Sequence, residues 1–302
     1  MKKLSIIIPC YQNEENVTDL ITALIGLFDQ LKLEFALQVI FVDDGSSDNT
    51  FQELLQQRKN LKFESKLVKL SGNFGSYNAL LAGLNHADGD CFVQLHADLQ
   101  DPPDYIPEML TYWQRGFKLV IAQRLSRQGF WLSQLPSKLY HLLIRKLAMP
   151  YVPTGGYDLI LFDLQIKDEV VAIGETNTNL VYLISWLRFP YVTIPIERKL
   201  RTKGKSQWTF WAKQKLFVDS FVSFSYTPIR LISLGAFSSL IVWVIVSLLY
   251  LFSIVHLQFI NWVLLTISVF SYLSMAIIGE YVWRALEASR KRPPYVVDKI
   301  ID

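Results

Sequence analysis

Side chains that could bind a metal ion or a phosphate cluster in the stretch Cys91–Asp104, which reads CFVQLHADLQDPPD. A short apolar run typical of a strand ends there in four polar side chains, which are His96, Asp98, Gln100 and Asp101. The two prolines that follow end the strand, because proline cannot donate to a sheet ladder. Open α/β sheets bind ligands at the carboxyl ends of their strands, and oxygen ligands suit Mg²⁺ or Mn²⁺ that carries a substrate phosphate. The stretch therefore predicts a metal site, and the alternative is an acidic turn after an edge strand.

A second polar segment follows another predicted strand. Asp43 and Asp44 come directly after the apolar run Leu37–Val42 and precede a Gly-Ser-Ser turn. Carboxylates in this position can accept hydrogen bonds from a nucleobase or a ribose, and free backbone N–H groups of the turn can face a diphosphate. The alternative is an ordinary turn, since Asp, Gly and Ser are common turn residues.

The elements that would position these two segments alternate between strands and helices. Apolar runs predict four buried parallel strands, at Leu4–Pro9, Leu37–Val42, Lys66–Leu70 and Cys91–Leu95. Helical spacing of apolar residues predicts the helices between them, from Asn13–Asn16 to about Leu31, at Thr50–Gln57 and at Ser76–Asn85. Further along, the patterns predict a helix over Asp104–Arg115 and strands over Leu119–Gln123 and Val192–Ile196. This order predicts an α/β fold with a doubly wound, mostly parallel sheet and right-handed crossovers.

The last third of the chain has the composition of a membrane segment. From Leu231 to Gly279 there is no Asp, Glu, Lys or Arg, and a run of this length can cross a bilayer twice. Basic residues flank both ends of the run and the polar loop His256–Asn261 carries none, which predicts that both soluble ends lie in the cytoplasm. The aromatic and basic stretch Trp208–Phe224 predicts an interfacial helix. Cys10 and Cys91 fall in predicted buried strands, which fits a reducing compartment.

Several motifs, taken in their order along the chain, resemble one known family. The motifs are Ile6-Ile7-Ile8-Pro9 with Tyr11 and Glu14, Val42 to Asp48, Asn73-Phe74-Gly75, Ala97 to Pro103, Thr154 to Asp158, and Glu197-Arg198 with Arg201 and Gly204-Lys205-Ser206. They are similar to the inverting family 2 glycosyltransferases of the GT-A fold. The closest resemblance is to the polyprenyl-phosphate branch, which includes dolichol-phosphate mannose synthases and bacterial bactoprenol glucosyltransferases. It covers nearly the whole chain, including the two C-terminal spans.

The resemblance implies a role for each matching residue. The nucleotide base and ribose would be held by Pro9, Tyr11, Glu14, Asp43 and Asp44, and the rest of the donor-binding set would be Gly75, Ala97, Asp98 and Ser206. The metal on the donor diphosphate, Mg²⁺ or Mn²⁺, would be bound by Asp98 and Gln100, with His96 beside them. The residues implied at the reacting groups are the family's proposed base Asp158, Arg124 on the acceptor loop, and Arg198 and Arg201 facing phosphate.

Two positions depart from the family's pattern. His96 stands where the family often has the first carboxylate of an Asp-x-Asp pair, and imidazole suits Mn²⁺ better than Mg²⁺. We therefore expect Asp98 to be the indispensable ligand, while His96 contacts a metal ligand without binding the metal, contacts the nucleotide or is a hydrogen-bonded core histidine. Ser76 stands where a basic residue is frequent, so one contact to the donor phosphate can be missing.

The expected function is transfer of a sugar, with inversion, from a nucleoside-diphosphate sugar to a membrane polyprenyl phosphate. The expected donor is a UDP-sugar, and the product would serve the modification of cell-envelope glycans or glycolipids. Such an acceptor is already anionic, so it needs a cationic grip more than a general base, and Asp158 would then position the acceptor or a sugar hydroxyl. Two alternatives remain open, namely transfer to a lipid or glycan hydroxyl and a non-catalytic nucleotide-binding adaptor.

The expected layout is a cytoplasmic GT-A catalytic domain over residues 1–206, an interfacial helix region over 207–228, two transmembrane helices within 229–283 and a cytoplasmic tail over 284–302. The expected location is a bacterial inner membrane. Expected partners are the sugar donor, the lipid acceptor and membrane lipids, with no nucleic acid. The resemblance also implies a homo-oligomer, a tetramer.

Overall fold

The computed structural model describes residues 1–124, 139–140, 142–153, 159–175, 178–197, 218–252 and 256–302. The chain divides into two compact units. The first contains Met1–His141, Tyr151–Lys213 and Pro293–Asp302, and the second contains Leu142–Pro150 and Gln214–Arg292. The expected domain boundaries at residues 206, 228 and 283 stay predictions.

The first unit is built on an eight-stranded sheet. Its strands are β1 (Lys2–Cys10), β2 (Phe35–Asp43), β3 (Glu64–Leu70), β4 (Cys91–Gln94), β5 (Leu119–Arg124), β6 (Leu159–Asp163), β7 (Tyr191–Ile196) and β8 (Val297–Ile301). The order across the sheet is β7-β5-β6-β4-β1-β2-β3-β8. Strands β3, β2, β1 and β4 are mutually parallel, as β5 and β7 are, whereas β6 and β8 run antiparallel to their neighbours.

Helices pack on both faces of this sheet. They are α1 (Val17–Leu31), α2 (Thr50–Gln57), α3 (Ser76–Asn85), α4 (Ile106–Gln114), α5 (Leu164–Ile173) and α6 (Leu180–Trp186). Side chains alternate along a strand, so Leu4, Ile6 and Ile8 of β1 join one core cluster with α1 and α4. Ile7 points to the other face, where a Cβ added at Gly83 of α3 would lie 2.3 Å from the Ile7 Cγ2 atom. Glycine at this position therefore lets α3 approach the sheet closely.

The sheet confirms the predicted α/β fold class, and α2 and α3 have the predicted bounds. The residue patterns do not predict the two antiparallel strands. β6 inserts between β4 and β5, and its residues Leu159–Phe162 are all buried. β8 is formed by the end of the chain, within the segment predicted as a tail.

The second unit contains two long apolar helices, α7 (Thr227–Leu251) and α8 (Leu257–Ser289). Both are long and apolar enough to cross a membrane, and almost none of the residues in their most apolar windows is buried. A core helix of a soluble domain would bury its apolar face. The exposure of these apolar side chains therefore supports the prediction of two candidate membrane spans.

Polar contacts within the second unit join the segment before α7 to the last turns of α8. Arg284 donates one hydrogen bond to Asp219 Oδ1 (2.5 Å) and another to Ser223 Oγ (3.1 Å). The Tyr281 hydroxyl donates to the Ser225 carbonyl (2.7 Å). These bonds hold the described end of the predicted interfacial helix against the second candidate span.

Candidate active site

The candidate site lies at the carboxyl edge of the parallel strands. β2 and β3 lie on one side of β1 and β4 lies on the other, so the direction of winding changes between β1 and β4. Open α/β sheets bind their ligands in the crevice at such a switch point. The ends of these four strands and the loops that leave them contain the described residues that are predicted to bind the donor and the metal.

Asp43 has an unused acceptor at this edge. It is the last residue of β2, lies opposite Cys10 at the end of β1 and is fully buried. Its Oδ1 atom accepts a hydrogen bond from the Ser46 backbone N–H (3.3 Å), whereas its Oδ2 atom is buried and receives no hydrogen bond from the residues that the structure describes. Burial raises the pKa of Asp43, and the bonds from Ser46 oppose this rise. An unsatisfied buried acceptor costs about 1–3 kcal/mol, so Oδ2 is suited to accept a hydrogen bond from a bound ligand.

Asp44 holds the loop after β3. Its side chain is 3% exposed, and its backbone N–H donates to the Cys10 carbonyl (2.9 Å). Its two carboxylate oxygens accept one bond each, from the backbone N–H of Phe74 (2.7 Å) and of Gly75 (2.9 Å). Burial raises the pKa of Asp44 to about 6, although the two N–H groups favour the charged form. Asp44 thus orients the start of α3, at a Gly75 φ of 91° that favours glycine.

The loop after β1 is braced against the loop after β2. The Glu14 backbone N–H donates to Asp48 Oδ2 (3.3 Å), and the Glu14 carboxylate accepts from the Asn49 backbone N–H (2.9 Å). Pro9 and Tyr11 lie at the end of β1 beside this brace, and both are half-buried. The predicted nucleotide-binding residues of β1 and β2 are therefore brought together, with Glu14 joining the two loops.

The loop after β4 forms a tight turn that contains the predicted metal ligands. Leu99 has a φ of 52°, and its backbone N–H donates to the His96 carbonyl (3.2 Å). The Gln100 backbone N–H donates to Asp98 Oδ1 (3.3 Å). The turn places His96, Asp98 and Gln100, all half-buried, at the same edge, with Ala97 buried between them in sequence.

The donor set of this turn fits a metal ion that arrives with a substrate. Within the described part of the chain, no group of three or more His, Cys, Asp or Glu side chains could hold a metal ion. The turn instead offers one carboxylate, one imidazole and one amide. Mg²⁺ bound with substrate phosphates needs only one or two protein carboxylates, because the phosphates supply further ligands. Asp98, Gln100 and His96 therefore fit an ion shared with a diphosphate.

One of the residues predicted to face the acceptor lies in the described chain. Arg124 is the last residue of β5, is half-buried and lies opposite Ile196 at the end of β7. β6 begins at Leu159, next to the carboxyl end of β5, because β6 runs antiparallel to it. Four predicted residues lie outside the described residues, namely Asp158, Arg198, Arg201 and Ser206.

A contact from the far end of the chain is the feature that the residue patterns miss. The Ser71 backbone N–H, at the start of the loop that Asp44 holds, donates to the Val296 carbonyl (2.9 Å). A backbone contact between such distant residues leaves no signal in residue types. The residue types show only that Val296–Ile301, with four β-branched residues of six after a pair of prolines, is typical of a strand, and they do not show its partner.

Comparisons with known proteins match most of the chain. A family model described as glycosyl transferase family 2 matches residues 5–169. Glycosyltransferase sll0501 of Synechocystis sp. is 30% identical over 306 residues, covering 99% of this chain and 95% of that protein. Glycosyltransferase YkcC of Bacillus subtilis is 30% identical over 308 residues, covering 98% of this chain and 93% of that protein. A solved structure with a similar fold is mannosyltransferase PcManGT from Pyrobaculum calidifontis in complex with GDP-Man and Mn²⁺, with a TM-score of 0.53 and 15% identity, covering 93% of this chain and 87% of that one.

Proposed function

The chain belongs to glycosyltransferase family 2 and is a glycosyltransferase, and we propose that it transfers a sugar, with inversion, from a nucleoside-diphosphate sugar to a polyprenyl phosphate in the membrane. The product is a polyprenyl-monophosphate sugar. The observation that carries the donor half of this proposal is the Oδ2 atom of Asp43, which has no partner in the described part of the chain and lies beside the loop that Asp44 holds. The two candidate spans support the acceptor half.

The nucleobase of the donor binds at the end of β2 in this proposal. Uracil and guanine each carry a ring N–H, and Asp43 Oδ2 can accept a hydrogen bond from it. Hydrogen bonds to a carboxylate are stronger than neutral ones, and this one would also satisfy a buried acceptor. PcManGT, which shares the fold, is a structure in complex with GDP-Man and Mn²⁺, and this supports a nucleotide-sugar donor here.

The donor diphosphate reaches the turn after β4. Asp98, with Gln100 and His96 beside it, would hold a divalent metal ion there, and such an ion stabilises the charge that develops on a leaving diphosphate. The protein's own contribution is to orient the donor through Asp43 and Asp98, so that the acceptor phosphate and the leaving diphosphate lie on opposite sides of the sugar carbon that is transferred.

The acceptor brings its own charge to the reaction. A phosphate monoester carries about −1.5 to −2 charges at pH 7, so its oxygen needs no general base. Cationic side chains must instead hold it beside the donor, and Arg124 lies at the carboxyl end of β5. Arg198 and Arg201, which match the family's basic motif, are proposed to complete this grip. Asp158 is proposed to position the acceptor or a sugar hydroxyl.

The hairpin of α7 and α8 anchors the catalytic unit to the cytoplasmic face of a bacterial inner membrane in this proposal. β8 follows α8 in the chain and belongs to the same sheet as β1. A chain that leaves one folded unit and returns to it must cross a bilayer an even number of times. The basic residues Arg290, Lys291 and Arg292 follow α8 directly and favour the cytoplasmic side.

A screen of donors and acceptors with the full chain in detergent tests the proposal. UDP-sugars and GDP-sugars are offered with a synthetic polyprenyl phosphate and Mn²⁺, and the lipid product is identified by mass spectrometry. We expect one donor to yield a polyprenyl-monophosphate sugar. Transfer only to a polyprenol or a glycan hydroxyl would overturn the acceptor assignment. Nucleotide binding without any transfer would support the adaptor alternative.

Asp98→Ala tests the metal assignment in the same assay. We expect the variant to lose transfer while keeping its thermal stability, because the half-buried Asp98 side chain lies in a turn outside the core. Glu108→Ala is the matched control, since it removes an exposed carboxylate from α4. Full transfer by Asp98→Ala would contradict the assignment.

A further inference from the structure

The first residues of β8 lie at the edge of the sheet where the donor is proposed to bind. It pairs with β3, so that Ile301 lies opposite Leu67 and Val297 lies opposite Leu70. Because β8 runs antiparallel to β3, the first residues of β8 lie at the carboxyl end of β3. We call the segment Tyr295–Ile301 the C-terminal strap.

The strap is bound at both of its ends. At the donor edge, the Val296 carbonyl accepts from the Ser71 backbone N–H (2.9 Å). The Tyr295 side chain reaches the last residue of α3, where its hydroxyl accepts from Asn85 Nδ2 (3.0 Å). At the opposite end, Arg58 donates to the Ile301 carbonyl (2.5 Å).

The loop over residues 71–75 connects the strap to the donor site. Its first residue is bound to the strap, and its last two residues donate their backbone N–H groups to the Asp44 carboxylate. Between these points Gly72 packs tightly against Gly45, where an added Cβ would lie 2.5 Å from the Gly72 carbonyl carbon. A loop held at three points over five residues has little freedom, so a displacement at Ser71 is passed on to Asp44.

We propose that the C-terminal strap is a positioning element of the donor site: it sets the loop over residues 71–75, and through this loop the Asp44 carboxylate, so that the nucleotide binds at full affinity. The strap does not touch the nucleotide. This inference rests on the proposed donor site at Asp43 and Asp44. Its consequence is that nucleotide affinity depends on residues that follow the second candidate span in the chain.

Two variants at opposite ends of the strap separate positioning from stability. Ser71→Pro removes the N–H that donates to Val296 and leaves the far end intact. Arg58→Ala is the matched control, since it removes the bonds to the Ile301 and Ser65 carbonyls at the far end. The full chain in detergent is titrated with UDP and with GDP. We expect Ser71→Pro to weaken nucleotide affinity about tenfold. Arg58→Ala should lower the thermal unfolding temperature and change affinity less than about twofold.

A gentler variant covers the case in which Ser71→Pro fails to fold. Tyr295→Phe keeps the ring and loses only the hydroxyl that Asn85 binds, and we expect it to weaken nucleotide affinity about threefold, the size of one modest hydrogen bond. Hydrogen exchange of the Phe74 and Gly75 amides gives a readout that needs no nucleotide. It should speed up in Ser71→Pro and stay unchanged in Arg58→Ala.

The outcomes distinguish the strap from the donor site itself. Wild-type protein that binds neither UDP nor GDP overturns the proposed function, and the role of the strap with it. Wild-type binding with unchanged affinity in Ser71→Pro and Tyr295→Phe overturns the strap alone. Equal losses of affinity in Ser71→Pro and Arg58→Ala would also overturn it, because affinity would then follow stability.

Discussion

Replacing Asp44 by Asn perturbs the contact that joins β2 to the loop after β3. The Asp44 carboxylate accepts from two backbone N–H groups, those of Phe74 and Gly75. An Asn side chain has only one acceptor oxygen, and its NH₂ group would face the second N–H. One buried N–H therefore loses its partner, at a cost of about 1–3 kcal/mol.

The same change removes the cost of a buried charge. Burial raises the pKa of Asp44 from an ordinary 3.8 to about 6, and the resulting cost of ionising Asp44 destabilises the folded protein by at most about 3 kcal/mol at neutral pH. Between these two pH values the folded protein keeps a proton that the unfolded chain has released, so this group's contribution to stability is lost as pH rises through about 6. Asn cannot ionise and shows no such loss. The pKa of about 6 already includes the bonds from the two N–H groups, so at pH 7 the variant should be at least as stable as the wild type. At pH 4 the wild-type Asp44 is itself protonated and has, like Asn, one strong acceptor, so the free energies of unfolding of the two proteins should differ by less than about 1 kcal/mol.

Nucleotide binding should respond differently from stability. In the wild type, protonation of Asp44 below pH 6 weakens its hold on the Phe74 and Gly75 amides, so nucleotide affinity should fall between pH 7 and pH 5. Asp44→Asn should bind nucleotide about tenfold more weakly at pH 7 and lack this fall. Thermal unfolding at pH 5, 6 and 7 measures the effect on stability, and binding of a UDP-sugar at the same pH values measures the effect on affinity. Any protonation of the ligand affects the wild type and the variant equally. A variant with wild-type affinity and a wild-type pH profile would refute this account of Asp44.

Two further substitutions probe the packing of α3 and the metal turn. Gly83→Ala would put a Cβ 2.3 Å from Ile7 Cγ2 and should lower the free energy of unfolding by about 1–3 kcal/mol. Gly26→Ala is the control: its Cβ would lie in open space on α1, so it should raise the thermal unfolding temperature. A Gly83→Ala variant as stable as the wild type would contradict the close approach of α3 to the sheet. His96→Asp should preserve or raise transfer with Mg²⁺ relative to Mn²⁺ if this position touches the metal, and an unchanged metal preference would identify His96 as a packed histidine.

The parts of the fold that could be predicted are the elements whose burial is visible in their own residue types. β1 and β2 are buried on both faces, so their sequences are nearly continuous β-branched and apolar runs. β6 is also an apolar run, but its residue pattern does not distinguish a buried strand from a turn of buried helix and does not show that it inserts antiparallel between β4 and β5. β8 has a strand-like composition, but its pairing with β3 depends on a partner far away in the sequence.

The different roles of Asp43 and Asp44 in the site could not be predicted from the sequence. Both residues are predicted to contact the nucleotide, and residue types alone cannot separate them. Asp43 is the last residue of β2 and Asp44 is the first residue of the loop, so the two carboxylates meet different surroundings. Among the described residues one Asp43 oxygen has no partner, whereas Asp44 uses both oxygens on backbone N–H groups. A contact of Asp44 with the nucleotide stays a prediction.

The two candidate spans precede, in the chain, the strand that contacts the loop of the proposed donor site. β8 can pair with β3 only after α7 and α8 have been synthesised, so the edge of β3 stays open until the candidate spans are complete. Lys66 and Lys69 on β3 are charged side chains of the kind that protect an open edge from pairing with another chain. Any cut before α7 would separate the sheet from the two candidate spans but also remove β8 and the Val296 carbonyl that accepts from Ser71. A soluble fragment made in this way should therefore bind nucleotide more weakly than the full chain, because the last strand and the donor loop cannot be separated.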